Sequence, residues 1–359
     1  MSSQHPTQRS GITRRDVVRT SAVALAGMGV LAGTGPAPTG RSVAAQDRAS
    51  VSIALDWYPN ANHAGIYMSQ DRGHFEAAGL DVEIVIPSDP TTVLQTVGAG
   101  RDTFGISYHS EVLFAREQDV PVVSVAALVQ HPLNCLMVLA GSGIESPADL
   151  AGKSIANAGL PADEAFIQTI LEDSGLSLDD VEMVNVGYDL LPAVLSGQAD
   201  AAIGVYWTHE TILAEQQGYD VRSFRIEEWG VPDYYELVVV SGESTIADRE
   251  DVVRGMLGAL QQGYTDALAD PDAALDLLIA ASPELVRDVE RAGLDLLMPV
   301  WTDDGAVAFG TQTDDRWTAF GDWLKERGLL GDGVDIAAAW RGDLLPETTP
   351  ASPIATPEN

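Results

Sequence analysis

From residue 51 onward the chain alternates short apolar runs with amphipathic stretches, and this alternation constrains its fold more than any other feature. The runs at 51–55, 82–86, 103–107 and 122–128 read as strands, with helical periodicity between them at 64–78 and 91–99. A second unit repeats the style, with strands at 153–156, 181–186 and 200–205 and helices at 162–174 and 190–196. Strands alternating with helices imply an α/β architecture with mostly parallel sheets. Two extended apolar segments, 134–140 and 235–240, read as crossovers between units. Beyond residue 245 apolar residues recur at helical spacing over 248–270, 272–281, 283–296 and 313–327, and these helices are expected to pad the first unit. The expected organisation is therefore two lobes around a cleft. Lobe 1 is discontinuous (48–138 and 240–342), lobe 2 is 139–239, and a disordered tail rich in Pro, Thr and Ser occupies 343–359.

The charge balance excludes whole classes of partner. Across 359 residues, 53 acidic side chains face 20 basic ones, for a formal charge of −33. Phosphate backbones need basic surface, so no nucleic acid is expected as a partner. Lysine occurs only at Lys153 and Lys325. The single cysteine, Cys135, lies in an apolar run and reads as a buried, inert thiol. Residues 1–47 read as a processing segment: Arg14-Arg15 precedes an apolar stretch of small residues, the signature of twin-arginine export, and Ser42-Val43-Ala44 offers a cleavage site. No cysteine stands near that site, so the expectation is a periplasmic or extracellular protein without a lipoprotein anchor. No Gly-x-Ser-x-Gly elbow, Walker loop or His-Glu-x-x-His helix is present, and no cofactor or metal site is expected.

Function concentrates where the first strand hands over to the first helix. That stretch reads Asp56-Trp57-Tyr58-Pro59-Asn60-Ala61-Asn62-His63. In open α/β sheets, ligands lodge at the carboxyl ends of strands. A Trp there, flanked by amide and imidazole groups, makes an aromatic platform with hydrogen-bonding neighbours. The alternative reading is a capped turn with Trp57 packed inside.

This run, followed by Gly73-His74-Phe75 and Ala78-Gly79-Leu80-Asp81-Val82, resembles the family of thiamine-pyrimidine-precursor binding proteins, to which the fungal thiamine-pyrimidine synthases are related. The resemblance continues through Ser107-Tyr108-His109, Pro132-Leu133-Asn134, Asp149-Leu150-x-Gly152-Lys153, Gly204-Val205-Tyr206-Trp207-x-x-Glu210 and Gly230-Val231-Pro232-x-Tyr234-Tyr235-Glu236. It covers roughly residues 51–245. The Asp-Leu-x-Gly-Lys element is shared widely among solute-binding proteins, whereas the Asp-Trp…Asn-His element is the more specific.

The resemblance implies a type II periplasmic-binding-protein fold, a monomer, and delivery of a small aminopyrimidine to an ABC permease. A flat heteroaromatic needs stacking partners. Trp57 is the first candidate for one face; Tyr188, Trp207 and Tyr235 are candidates for the other. Glu210 is the expected acceptor for the exocyclic amino group, with Glu236 in reserve. Asn60 or Asn134 would donate to a ring nitrogen. Tyr108 belongs to the same set, and His63 and His109 would hold the exocyclic substituent. Two other readings stand beside this one. A different heteroaromatic, such as a riboflavin precursor, would suit the same aromatic residues. A pyrimidine synthase would need a lysine by the Asp-Trp motif and a cysteine-rich iron-binding segment, and the chain has neither.

Overall fold

The computed structural model describes residues 48–347. Two five-stranded sheets carry the chain. The first is built from β1 (Ala49–Ala54), β2 (Leu80–Val85), β3 (Phe104–Tyr108), β4 (Val122–Ala127) and, much later, β10 (Leu237–Gly242), in the order β2-β1-β3-β10-β4. The second contains β5 (Asn134–Leu139), β6 (Ser154–Asn157), β7 (Glu182–Asn185), β8 (Ala201–Tyr206) and β9 (Val221–Arg225), in the order β7-β6-β8-β5-β9. Both sheets follow one plan. Three parallel strands form one side, and the strand that enters from the other lobe (β10 or β5) pairs antiparallel in fourth place.

That plan moves the expected crossovers. Segments 134–140 and 235–240 were expected to link the lobes, with lobe 1 running to 138 and resuming at 240. Instead β5 pairs wholly with β8 and β9, and β10 wholly with β3 and β4. The chain changes sheets just before each strand, around Pro132-Leu133 and around Tyr234-Tyr235-Glu236. Apolarity marked these segments because both are interior strands of their sheets, buried along all or nearly all of their length, which carry near-continuous hydrophobic runs whether or not they cross.

The helices lie close to their expected positions. In the first lobe, the expected helix at 64–78 divides into α1 (Ala64–Asp71) and α2 (His74–Ala77), and α3 (Val93–Gly98) follows β2. A further helix, α4 (His109–Glu117), follows β3 at once. The second lobe holds α5 (Pro161–Asp173), α6 (Leu190–Leu195) and α7 (Glu210–Gln216). The C-terminal part supplies α8 (Glu243–Asp248), α9 (Glu250–Ala269), α10 (Pro271–Ala281), α11 (Arg287–Trp301) and α12 (Asp314–Glu326). α9, α10 and α11 cover the first sheet, sharing a core with β1, β3 and β10. α12 departs from that expectation. Its Trp317, Phe320 and Leu324 belong to a core that draws on both lobes, including Val112 from one and Phe166 from the other. The expected twin-arginine segment and residues 348–359 of the expected tail lie outside the described residues; the first part of that tail, 343–347, is described and departs from the expectation, with Leu344 buried in the core of the first lobe.

Candidate functional site

The parallel strands of both sheets deliver their carboxyl ends to one cavity. Asp56 and Trp57 follow β1, Tyr108 ends β3, Ala158 follows β6 and Tyr206 ends β8, and all five line it. The cavity encloses about 530 Å³ of space between its walls, part of it open solvent. Its lining includes the carboxylates of Asp56, Asp163, Glu210 and Glu236 and neither Lys nor Arg.

The loop after β1 is fixed by its own side chains. Asn60 Oδ1 accepts from the Asn62 backbone N–H at 2.9 Å and from the Asn62 amide at 3.0 Å, while Asn60 Nδ2 donates to Tyr58 O at 3.1 Å. His63 Nδ1 accepts from the Asn60 N–H at 3.2 Å, which directs Nε2 to donate to Asp56 Oδ1 at 2.9 Å. The other Asp56 oxygen accepts from Tyr108 Oη at 3.1 Å. Asn60 and His63 therefore act as capping and aiming groups. Asn60 reaches the cavity wall with both ends of its amide engaged, and His63 is fully buried behind Asp56.

On the facing lobe, Asn134 Oδ1 accepts from Gly204 N–H at 3.1 Å, which leaves its NH2 group as the remaining donor at the wall. Gly204 takes φ +86°, and a Cβ there would sit 3.2 Å from Asp163 Oδ1, so backbone and carboxylate meet closely only because the residue is glycine. Asp163 Oδ2 accepts from Ala158 N–H at 3.0 Å and Leu160 N–H at 3.3 Å. Burial drives the Asp163 carboxyl upward against those two amides, to about 7. Ser110 lines the same wall, and its Oγ is buried without a protein partner. Phe166 and Leu160 add apolar surface.

Glu210 opens α7. Its Oε2 accepts from Tyr206 N–H at 2.9 Å and its Oε1 faces His209 Nδ1 at 3.0 Å. Burial pushes its pKa up, but the His209 charge and the hydrogen bonds outweigh that and hold it below the usual carboxylate range. It lines the cavity as a charged acceptor. Glu236 is engaged differently. Its Oε2 accepts from Leu133 N–H at 2.6 Å, Asn134 N–H at 3.0 Å and Tyr234 Oη at 3.0 Å, and its Oε1 from Tyr206 Oη at 3.2 Å. Burial raises it, the two amides and two hydroxyls pull it back, and it settles at about 7. Glu236 joins one interlobe crossing to the other.

Six of the expected residues thus meet at the cavity wall: Trp57, Asn60, Tyr108, Asn134, Glu210 and Glu236. Besides His63, four others do not. His109 is buried among Tyr234, Tyr235, Trp317 and Phe320, with its ring centre 3.8 Å from that of Trp317. Burial and the Arg316 charge keep its pKa well below the usual histidine value. Tyr235 is buried beside it, and its hydroxyl accepts from Thr313 N–H at 2.9 Å. Trp207 donates its indole N–H to Pro132 O at 3.2 Å and carries the Arg225 guanidinium 3.7 Å above its ring, so it packs at a crossing. Tyr188 stands at the cleft mouth. Its ring meets Trp57 edge-on at 4.4 Å and Tyr58 at 4.3 Å, and its hydroxyl donates to Pro87 O at 3.0 Å. Trp57 and Tyr188 therefore touch each other and leave no slot for a ring between them.

The sequence reading missed Asp163, Phe166 and Ser110. Asp163 and Phe166 had a signal in the helix start at Pro161, where an acidic residue in the first turn is followed three positions on by an aromatic on the same face. Ser110 had none.

Two sheets of this plan around a cleft at their strand ends define the type II periplasmic-binding-protein class. The alkanesulfonate-binding protein SsuA from Xanthomonas axonopodis pv. citri, bound to MOPS, superposes with a TM-score of 0.67 at 18% identity, covering 82% of this chain and 99% of that one. Within that class, residues 60–274 match the family model "NMT1/THI5 like", and the chain belongs to that family. It is 36% identical over 289 residues to the formylaminopyrimidine-binding protein of Halalkalibacterium halodurans, covering 79% of this chain and 87% of the relative. It is 28% identical over 249 residues to a 4-amino-5-hydroxymethyl-2-methylpyrimidine phosphate synthase of Saccharomyces cerevisiae, covering 67% and 73% respectively.

Proposed function

We propose that the chain is the exported solute-binding component of an ABC importer, and that it captures a thiamine-precursor aminopyrimidine between its lobes for delivery to a membrane permease. The observation that carries this is the chemistry of the cavity wall: Trp57 offers an aromatic face, Glu210 a charged acceptor and Asn134 a spare amide donor, and the lining holds neither Lys nor Arg. An aminopyrimidine edge presents an amino donor next to a ring-nitrogen acceptor, which Glu210 and Asn134 match in that order. Phe166 is the apolar candidate for the opposite ring face. The formylaminopyrimidine-binding relative supports the same ligand class.

The wall also argues against anions. A phosphate or sulfonate would meet four carboxylates and no Lys or Arg. The ligand is therefore the unphosphorylated pyrimidine. A synthase reading finds no nucleophile here: Lys153 lies beside Asp200 at 3.4 Å, Lys325 donates to Val334 O at 2.7 Å, and neither lines the cavity. The Cys135 thiol is fully buried, its Sγ faces Val205 O at 3.2 Å, and burial pushes its pKa up. We read the protein as a monomer that reaches the periplasm or the exterior through its twin arginine; replacing Arg14 and Arg15 with Lys should hold it in the cytoplasm.

A thermal-shift titration tests the ligand. Formylaminopyrimidine and hydroxymethylpyrimidine at 100 times their dissociation constants should each stabilise the protein by about 2.7 kcal/mol. The phosphate ester and an alkanesulfonate should leave the melting temperature unchanged. Trp57→Ala should weaken the pyrimidines by roughly 100-fold, since it removes both buried area and stacking. A shift with the phosphate ester, or full-strength binding by the Trp57 variant, would retire this reading.

A further inference from the structure

His209 sits between two carboxylates that belong to different lobes. Its Nδ1 lies 3.0 Å from Glu210 Oε1, in the second lobe and at the cavity wall. Its Nε2 lies 3.1 Å from Glu290 Oε1, on α11 of the first lobe. Glu290 is almost wholly buried, and its second oxygen accepts from Ala61 N–H at 2.8 Å, inside the loop that carries Trp57. One continuous chain of charge-assisted contacts therefore runs from Glu210 across the cleft to the Trp57 loop. Both ring nitrogens face acceptor-only groups, so both must donate, and the ring is an imidazolium.

A second observation, independent of charge, marks the same junction. α11 approaches the turn before His209 so closely that a Cβ on Gly293 would lie 2.5 Å from Thr208 O. Only glycine lets the helix seat there. The lobes are fitted together at this point by backbone contact as well as by the ion pairs.

We infer that His209 is a positioning residue, which aims and charges Glu210 for the ligand and fastens it through Glu290 to the first lobe. Burial alone would lower the imidazole's pKa, but the two carboxylates overcome that and raise it to about 10, so the link is intact throughout the physiological range. Without the imidazolium, Glu210 would be a buried carboxylate relying on Tyr206 N–H, and protonation would cost it its acceptor role. Closure of the lobes and recognition of the amino group thereby depend on one side chain. The recognition half of this inference rests on the aminopyrimidine reading; the closure half does not.

Three variants separate the two halves. His209→Phe keeps the ring's bulk and removes both donors. His209→Gln restores one donor without the charge. Gly293→Ala leaves every charge in place and obstructs α11 at Thr208. The probes are formylaminopyrimidine and the same molecule without its 4-amino group, with affinity followed by calorimetry. Paired spin labels, one per lobe, report the interlobe distance in the ligand-free full chain. His209→Phe should weaken the aminopyrimidine by roughly 10- to 100-fold and erase its preference over the des-amino probe. His209→Gln should fall between. Gly293→Ala should weaken both probes equally and keep the preference. Both His209→Phe and Gly293→Ala should widen the interlobe distance. A wild-type preference retained by His209→Phe would overturn the positioning role. An unchanged distance in both variants would overturn the latch, and that result stands even if the wild-type protein binds neither probe, the outcome that would sink the aminopyrimidine reading itself.

Discussion

The two ends of the cleft are held by opposite chemistries. At the crossings, Glu236 gathers four donors, three from the two interlobe segments and one, Tyr206 Oη, from the end of β8, and all but the partly buried Tyr206 are buried. At the mouth, Tyr188 reaches from the second lobe to lie against Trp57 and Tyr58, with one hydrogen bond to Pro87, and Tyr58 is 51% exposed. A buried polar knot is costly to open, because each freed donor would be left without water. Aromatic edges at a wet surface separate at little cost. The pair has the makings of a hinge at one end and a gate at the other, the repertoire of ligand-trapping two-lobe proteins.

The largest effect expected from this contrast is at the knot. Glu236→Ala strands two backbone amides and two hydroxyls, at roughly 1 kcal/mol or more each, so the loss of unfolding free energy should be about 4 kcal/mol or greater. Glu236→Gln keeps an acceptor for the amides, and Tyr206 Oη can turn to accept from the new NH2, so its cost should be clearly smaller. Chemical denaturation measures both. Equal, small losses for the two variants would mean that the knot does not hold the crossings together.

The next effect is set by pH. Glu111 on α4 reaches across to cap α5, accepting from Ala162 N–H at 2.9 Å. Burial pushes its carboxyl from 4.5 up to about 8, opposed by the Ala162 amide and aided by the Asp163 charge. Between those values the folded protein keeps a proton that the unfolded chain has released. The native state thus binds more protons, and stability falls as pH rises through the window, by up to about 1.4 kcal/mol per pH unit for this one group. Glu111→Gln keeps the acceptor and removes the titration. Its melting temperature should match that of the wild type near pH 4.5 and exceed it progressively towards pH 8. A constant difference across that range would show that Glu111 is already ionised in the fold.

Much of the fold was legible because periodicity reports burial. The parallel strands of both sheets and the long late helices repeat apolar residues at spacings that few other structures share, whereas β9, with Arg222 and Arg225 in a five-residue strand, was not read as one. What periodicity could not say was which sheet a buried strand joins, so β5 and β10 were read as connectors. α4 escaped notice because it begins without a break on the end of a strand, at His109 just after Tyr108. At the site, motif order located Trp57, Asn134 and Glu210 near one another. It could not distinguish a side chain at the wall from one a layer behind it. Asp56, read only as part of a motif, is at the wall, while His63, three residues beyond Asn60, stands behind it. His109 and Tyr235 show the same limit: aromatic and imidazole groups suit a ligand, and they equally suit a core with Trp317 and Phe320. His209, which bridges the lobes, drew no notice because its partner Glu290 is 81 residues away.

The smallest predicted effect is at the mouth. Tyr188→Phe removes the hydroxyl's bond to Pro87 O and leaves the ring against Trp57 and Tyr58. A neutral hydrogen bond at a half-exposed site contributes at the low end of 0.5–1.5 kcal/mol, so the closed form should lose roughly threefold in population. If the mouth is a gate, that loss falls on ligand release: the dissociation rate of formylaminopyrimidine should rise about threefold by stopped-flow tryptophan fluorescence, with association unchanged. Unfolding free energy should stay within about 0.5 kcal/mol of the wild type, as for substitutions away from a buried network. A stability loss on the scale of Glu236→Ala, with release unaltered, would make Tyr188 part of the folded framework and erase the distinction between the two ends of the cleft.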